Sequence, residues 1–154
     1  KVESVDGFAM VLNLKRINKI ESFKNYNYFD EKFFMYLEND DFCMRLIKEK
    51  ENIFVVPKAK IKHLGAKAVD AKYFHEIELS RNWHWMWSKF YFNKKHYGYL
   101  TAIFKIINNL FSAILKYILY LILFNKHKKI IYKMRILGLF NSIIGKKSFL
   151  RPEN

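Results

Sequence analysis

"LTAIFKIINNLFSAILKYILYLILF", Leu100 to Phe124, contains no Gly, no Pro and no acidic residue. Its polar residues are Thr101, Lys105, Asn108, Asn109, Ser112 and Lys116, on spacings that gather them into one stripe of a helix, with Leu, Ile and Phe around the rest. After Lys116 the stripe ends and "YILYLILF" is wholly apolar. A helix of this length spans roughly 36 Å. Lys116 interrupts the apolar run and leaves it short for a membrane span. The pattern therefore predicts a helix lying in a membrane interface, apolar side down. The basic run "NKHKKIIYKMR", residues 125–135, follows directly and suits anionic headgroups, at about 1 kcal/mol per Lys or Arg near the surface. A helix packed on the domain or on a second subunit is the other reading of the same pattern, and a true span the third.

Upstream, "KYFHEIELSRNWHWMWSKFYFNKKH", residues 72–96, reads as an aromatic-rich helix. Trp83, Trp85 and Trp87 suit either an interfacial aromatic belt or core packing. His75, His84, His96 and His127 lack the sequence spacing of metal ligands. The net charge of +14 is concentrated here: residues 76–154 carry 14 Lys and Arg against 3 Asp and Glu, and residues 1–75 carry 14 against 11. A basic tail favours an anionic membrane surface or nucleic acid, and charge alone does not choose. At 154 residues the chain suits one ordinary domain. Its single cysteine, Cys43, excludes an internal disulfide and a cysteine-built zinc site, and reads as an inert core thiol. The chain opens on Lys1, with no signal-peptide pattern and its first Met at Met10, and the expectation is a cut within a longer protein or a processed product.

The acidic chemistry lies in the first half. "SVDGFAMVLNLKRI", residues 4–17, has an Asp-Gly turn before an apolar run, which predicts a strand or a short buried element. Residues 21–34 read as an aromatic loop. Within "FFMYLENDDFCMRLIKEK", residues 33–50, Asn39 is the expected helix N-cap, with Asp40 and Asp41 in the first turn. Phe42, Cys43, Leu46 and Ile47 form one apolar face, and Asp41 and Arg45 are spaced to pair. "NIFVVPKAKIKHLG", residues 52–65, reads as a strand broken at Pro57. Two groups are placed for chemistry. Glu38, just ahead of the expected cap, is a candidate general base. His63, at the expected strand end, is a candidate ligand for a divalent metal. Each also has a structural reading: capping for the carboxylates, packing for the histidine.

The order of these pieces resembles the second half of the catalytic domain of family 2 glycosyltransferases. Among these the chain is most similar to the rhamnosyltransferase-like bacterial enzymes of surface polysaccharides. The matching positions are Gly7, Arg16, Phe29 to Glu31, Phe33, Phe34, Tyr36, Glu38, Asp41, Cys43, Arg45 and His63. "SRNWHWMWSKFYF", residues 80–92, and "KMRILGLFNSIIGKKSFLRP", residues 133–152, also look like that group's C-terminal part. The resemblance implies an α/β fold: the acceptor-side C-terminal half of a GT-A nucleotide-sugar transferase domain over residues 1–75. A basic helical tail, 76–154, follows, with its amphipathic, membrane-associating helix at about 100–124. It implies inverting transfer of a sugar from a nucleotide-sugar donor to a lipid-linked or growing glycan acceptor, in cell-surface polysaccharide synthesis. The expected place is the cytoplasmic face of the bacterial inner membrane, held peripherally on anionic lipid, with no nucleic acid involved.

On that resemblance Glu38 is the base, and His63 is the ligand of the diphosphate or of a divalent metal, Mg or Mn, that neutralises the departing diphosphate. The Asp6-Gly7 turn lines the sugar or acceptor pocket, and Arg45 braces the acidic loop with Asp41 as its partner. Arg81 and Asn82 match a recurrent Arg-Asn, for contact with diphosphate or for the helix surface. Two departures stand out. Asn39 replaces the family's usual Asp, and a neutral amide accepts no proton at neutral pH. The nucleotide-binding half with its Asp-x-Asp motif is missing, so these residues by themselves are expected to be inactive. The rival reading is a non-catalytic basic module for membrane or nucleic acid.

Overall fold

The computed structural model describes residues 1–26, 28–63 and 70–151. Among them the regular structure is helical, and extended chain pairs only at an antiparallel bridge, where the Val2 amide donates to the Ile53 carbonyl at 2.9 Å. The α/β fold with half of a GT-A domain is therefore corrected: among the described residues no segment forms a strand and there is no sheet. The cause is visible in the segment expected to be a strand. Ile53 turns inward, but Phe54, Val55, Val56 and Ile61 are exposed. Apolar, β-branched sequence records fitness for a half-buried pleated surface. A strand also needs a neighbouring edge, and no described segment supplies one. A turn at Pro57–Lys58 does break the segment, as its proline predicts. The run after the Asp-Gly turn likewise forms no strand but a short helix, and the loop expected over 21–34 includes a 3-10 turn at Glu21–Tyr26.

The chain divides into two compact units: residues 1–33 with 37–67, and residues 34–36 with 68–154. The first holds α1 (Leu14–Ile17), capped by the Asn13 side chain, and α2 (Glu38–Lys48). Its core is Ile17, Phe23, Phe42, Cys43 and Leu46, with Met10, Leu12, Ile20 and Ile53 packed around it. Phe42 and Cys43 point inward as the helical period predicts, and Phe23 meets the Phe42 ring edge-on at 5.4 Å. Burying an aromatic or aliphatic side chain of this size contributes about 1.5–3 kcal/mol each, enough for a small core.

The second unit is a bundle of α3 (Phe74–Tyr97), α4 (Tyr99–Ile122) and α5 (Lys126–Ile143). Gly98 alone separates α3 from α4, and its φ of 86° is open to a residue without Cβ. Asn125 caps α5 by accepting from the Lys128 amide at 3.0 Å. α3 and α5 run parallel: Glu78 bonds His127, Asn82 bonds Arg135 and Trp87 bonds Ser142, so the partners advance in the same direction along both helices. α4 runs opposite to both: Tyr99 meets Phe90, and Tyr120 stacks on Tyr132. The core joins Met86 and Phe90 of α3, Ala102 and Ile106 of α4, and Leu139 of α5. Trp83 and Trp87 are buried and only Trp85 is exposed, so core packing accounts for two of the three tryptophans.

Candidate functional site

The helix carrying the acidic cluster begins two residues earlier than its sequence predicts. Glu38 is the first helical residue, and the cap position is Leu37, with φ 66° and no capping side chain. Asn39 is therefore not the cap. Its amide donates instead to the Val5 carbonyl at 2.8 Å. Tyr36, with φ 72°, precedes Leu37, so two bulky residues in succession hold left-handed backbone. Each such residue costs on the order of 1 kcal/mol or more, and strain of this kind concentrates at functional sites.

The neighbours of Glu38 are engaged. Ser4 donates to Asp40 at 2.5 Å. Arg45 donates to Asp41 at 3.0 Å, the pair the four-residue spacing predicts, and also to the Tyr28 carbonyl. Asp41 is fully buried, and the Arg45 guanidinium lies 4.6 Å from the Phe23 ring centre. Glu38 differs: its Oε2 is buried without a hydrogen-bond partner, a condition shared among the described residues only by the Ser80 hydroxyl. Such an orphan costs about 1–3 kcal/mol or more when charged. Hydrogen bonds to Val5 and Ser4 and the ion pair with Arg45 account for the rest of the cluster and leave this oxygen over.

The other expected residues are dispersed. Gly7 lies beside Asn39, where an added Cβ would stand 3.3 Å from the Asn39 Cβ, so its smallness serves packing of the turn on α2. Asp6 is exposed. His63 is exposed and stacks on Phe8 at 5.0 Å. Mg and Mn prefer oxygen ligands, and among the described residues no trio of metal donors includes His63. This surrounding does not fit the expected ion. An open groove in the same unit is lined by Asn13, Lys15, Arg16, Lys19, Ile20 and Glu51, none of them a predicted site residue. In the second unit Arg81 donates to the Tyr36 hydroxyl at 2.7 Å. Asn82 donates to the Glu78 carbonyl and accepts from Arg135 at 2.7 Å. Both bind elements of their own unit together.

His84 is fully buried on α3. Its Nε2 bonds the Leu150 carbonyl at 2.7 Å and its Nδ1 lies 2.9 Å from the Ser148 hydroxyl. A carbonyl only accepts, so Nε2 carries the proton and Nδ1 accepts from the serine. Burial lowers its pKa, the Leu150 carbonyl partly opposes this, and Arg151 adds to the lowering.

The exposed face of α4 is its apolar one. Ala102, Ile106 and Ala113 turn inward, whereas Phe104 is 75% exposed and Phe111 63%, in a ridge with Leu100, Ile107, Leu115, Ile118 and Ile122. By length and composition α4 is long and apolar enough to cross a membrane. Cations flank it: Lys105 lies over the Tyr97 ring at 3.7 Å, and Lys116 and Arg135 over Tyr132.

One grouping escaped the sequence. His75, Glu78 and His127 each bring a donor atom to within 4.8 Å of the others. The signal for it is the parallel register of α3 and α5, which appears only once both helices are placed together. Comparison with family models, with curated proteins and with solved structures finds no match.

Proposed function

We propose that this chain works in inverting glycosyl transfer, as the acceptor-side part of a membrane-associated glycosyltransferase, with Glu38 as the general base. The observation that carries the reading is the buried, unpartnered Glu38 Oε2 behind two left-handed residues, in a cluster whose other side chains are engaged. Glu38 would take the proton of the acceptor hydroxyl as that oxygen attacks the anomeric carbon from the face opposite the leaving group. The bond to the nucleotide diphosphate breaks as the new one forms, and its electron pair leaves with the phosphate. The donor must be presented by other polypeptide. The motif resemblance supports the reaction class, and the sugar and linkage lie beyond it.

The same reading seats the chain peripherally on the cytoplasmic, anionic face of the inner membrane, where a lipid-linked acceptor is found. The outward ridge of α4 supports this, as do Lys126, Lys128, Lys129 and Lys133 on α5. An interfacial position fits better than a span. α4 is packed along α3 and α5, whose many charged residues would be costly inside hydrocarbon. A second reading, a non-catalytic membrane-binding module, draws on the same ridge and cations and requires nothing of Glu38.

The test is transfer of radiolabelled sugar from nucleotide sugars to lipid-linked acceptor by membranes that contain the protein. Glu38→Gln should abolish transfer, and Asp40→Asn should retain it. Full turnover in Glu38→Gln overturns the catalytic reading. Vesicle binding with no transfer by the unsubstituted protein selects the module.

A further inference from the structure

We propose that His75, Glu78 and His127 form a binding site for a divalent transition-metal ion, Zn2+ by its donor set, that ties the first turn of α3 to the first turn of α5. His75 and Glu78 are three residues apart on α3 and so share a face, one turn above the other. His127, the second residue of α5, meets them because the two helices run in parallel.

Three observations make this more than a surface ion pair. The His127 Nε2 is already 3.0 Å from the Glu78 Oε2, so two of the three donor atoms stand near the separation that ligands of one tetrahedral ion take. The His75 ring stands 5.4 Å from the His127 ring and has no hydrogen bond or ion pair among the described residues, so its place is not explained by the pair. All three donor atoms fall within one sphere, with the largest separation 4.8 Å. A tetrahedral ion with bonds of about 2.0–2.2 Å holds its ligands about 3.3 Å apart. The site must therefore contract by roughly an ångström or more, through side-chain rotation. His75 and His127 are exposed and Glu78 is only partly covered, so no core packing opposes that movement.

Charge decides which ions are suitable. Two helix N-termini meet here, and their partial positive charge opposes any cation. Lys126 and Lys128 flank His127 and add to that opposition. A single carboxylate does not overcome this for Mg2+ or Ca2+, which bind through oxygen and charge. Two imidazoles and a carboxylate bind Zn2+, Ni2+ or Cu2+ by donor strength, and Zn2+ accepts such three-ligand sites with water in the fourth position. Binding displaces the proton shared between His127 and Glu78, so the ion replaces a hydrogen bond with a crosslink between helices.

The test uses the full, untagged chain titrated with Co2+ and then Zn2+. One equivalent of Co2+ should give visible d–d absorption without a thiolate charge-transfer band, and Zn2+ should displace it. Zn2+ should raise the melting temperature with a dependence on its concentration, while Mg2+ should not. His75→Ala, Glu78→Gln and His127→Ala should each weaken Zn2+ binding about tenfold or more, and His63→Ala should leave it unchanged. These side chains are outside the core, so circular dichroism of the variants should match the parent. Wild-type affinity in His75→Ala or His127→Ala, no Co2+ spectrum at one equivalent, or a thiolate band that points to Cys43 would overturn the assignment.

Discussion

A Cβ added to Gly138 of α5 would stand 2.2 Å from the backbone oxygen of Trp83 on α3. The two helices touch there main chain to main chain. At an ordinary helix-interior site Gly→Ala gains up to about 1 kcal/mol in helix propensity. Here the clash is with backbone, which cannot swing aside, and overpacking of this kind costs about 1–3 kcal/mol. Gly138→Ala should therefore lower the melting temperature followed by circular dichroism. A neutral or stabilised variant would show that the helices separate without cost.

The Asp41–Arg45 pair makes an opposite demand on the first unit. With Asp41 fully buried, Asp41→Ala leaves the Arg45 guanidinium beside Phe23 without its carboxylate. Loss of one partner of such a pair costs about 3–5 kcal/mol. Urea unfolding should show a fall of that size. The double variant Asp41→Leu with Arg45→Met should recover much of it, because an apolar pair leaves no stranded charge.

For His84 the prediction concerns pH. Its pKa lies below the ordinary value of about 6.5 in the folded chain and returns there on unfolding. Between the two values the unfolded chain binds more protons, so stability rises with pH across that window. The contribution is complete above about pH 6.5 and is lost as pH falls toward the folded-state pKa. Melting temperature should drop between about pH 7.5 and about pH 5, and His84→Gln should flatten that drop. An identical slope in the variant would move the effect to another group.

The ridge of α4 can be tested with lipid. Phe104→Asp with Phe111→Asp replaces two largely exposed rings outside the buried core, so the bundle should fold unchanged. Each phenyl contributes about 1.5–3 kcal/mol when taken from water, so flotation on anionic vesicles should fall tenfold or more per substitution. Neutral vesicles should bind the parent chain less tightly, because the cations of α5 then have no partner. Flotation of the double variant at the parent level would exclude the ridge as the contact.

Glu38→Gln should leave stability equal or slightly higher, while it removes transfer. A buried carboxylate oxygen without a donor is costlier than a neutral amide in the same place. Loss of both transfer and stability would instead make Glu38 a structural residue.

What the sequence revealed was what short-range periodicity encodes. α3, α4 and the Asp41–Arg45 pair follow from spacings of three and four, and these survive whatever the surroundings are. The strand expected over 52–65 did not form over its described part, 52–63 (64 and 65 lie outside the described residues), because a strand is a property of two segments, and there Ile53 alone found a partner in Val2. The start of α2 was displaced by two residues because the Asn39 side chain bonds the distant Val5 carbonyl, and Leu37 carries the left-handed turn without a polar cap. Glu38 stood out as the carboxylate that capping leaves over, but its buried oxygen is a tertiary fact. The grouping of His75, Glu78 and His127 depends wholly on the register between two helices, which no local spacing records.

The inward alanines of α4 have a geometric consequence. Because Ala102 and Ala113 face the bundle and the bulky side chains face away, the helix is a keel running from Leu100 to Ile122, roughly 33 Å long. On the proposed interfacial seat, contact along such a line would restrain pitch, so the long axis of α4 would lie in the membrane plane. α3 and α5 lie alongside α4, so they too would run along the lipid surface rather than into it.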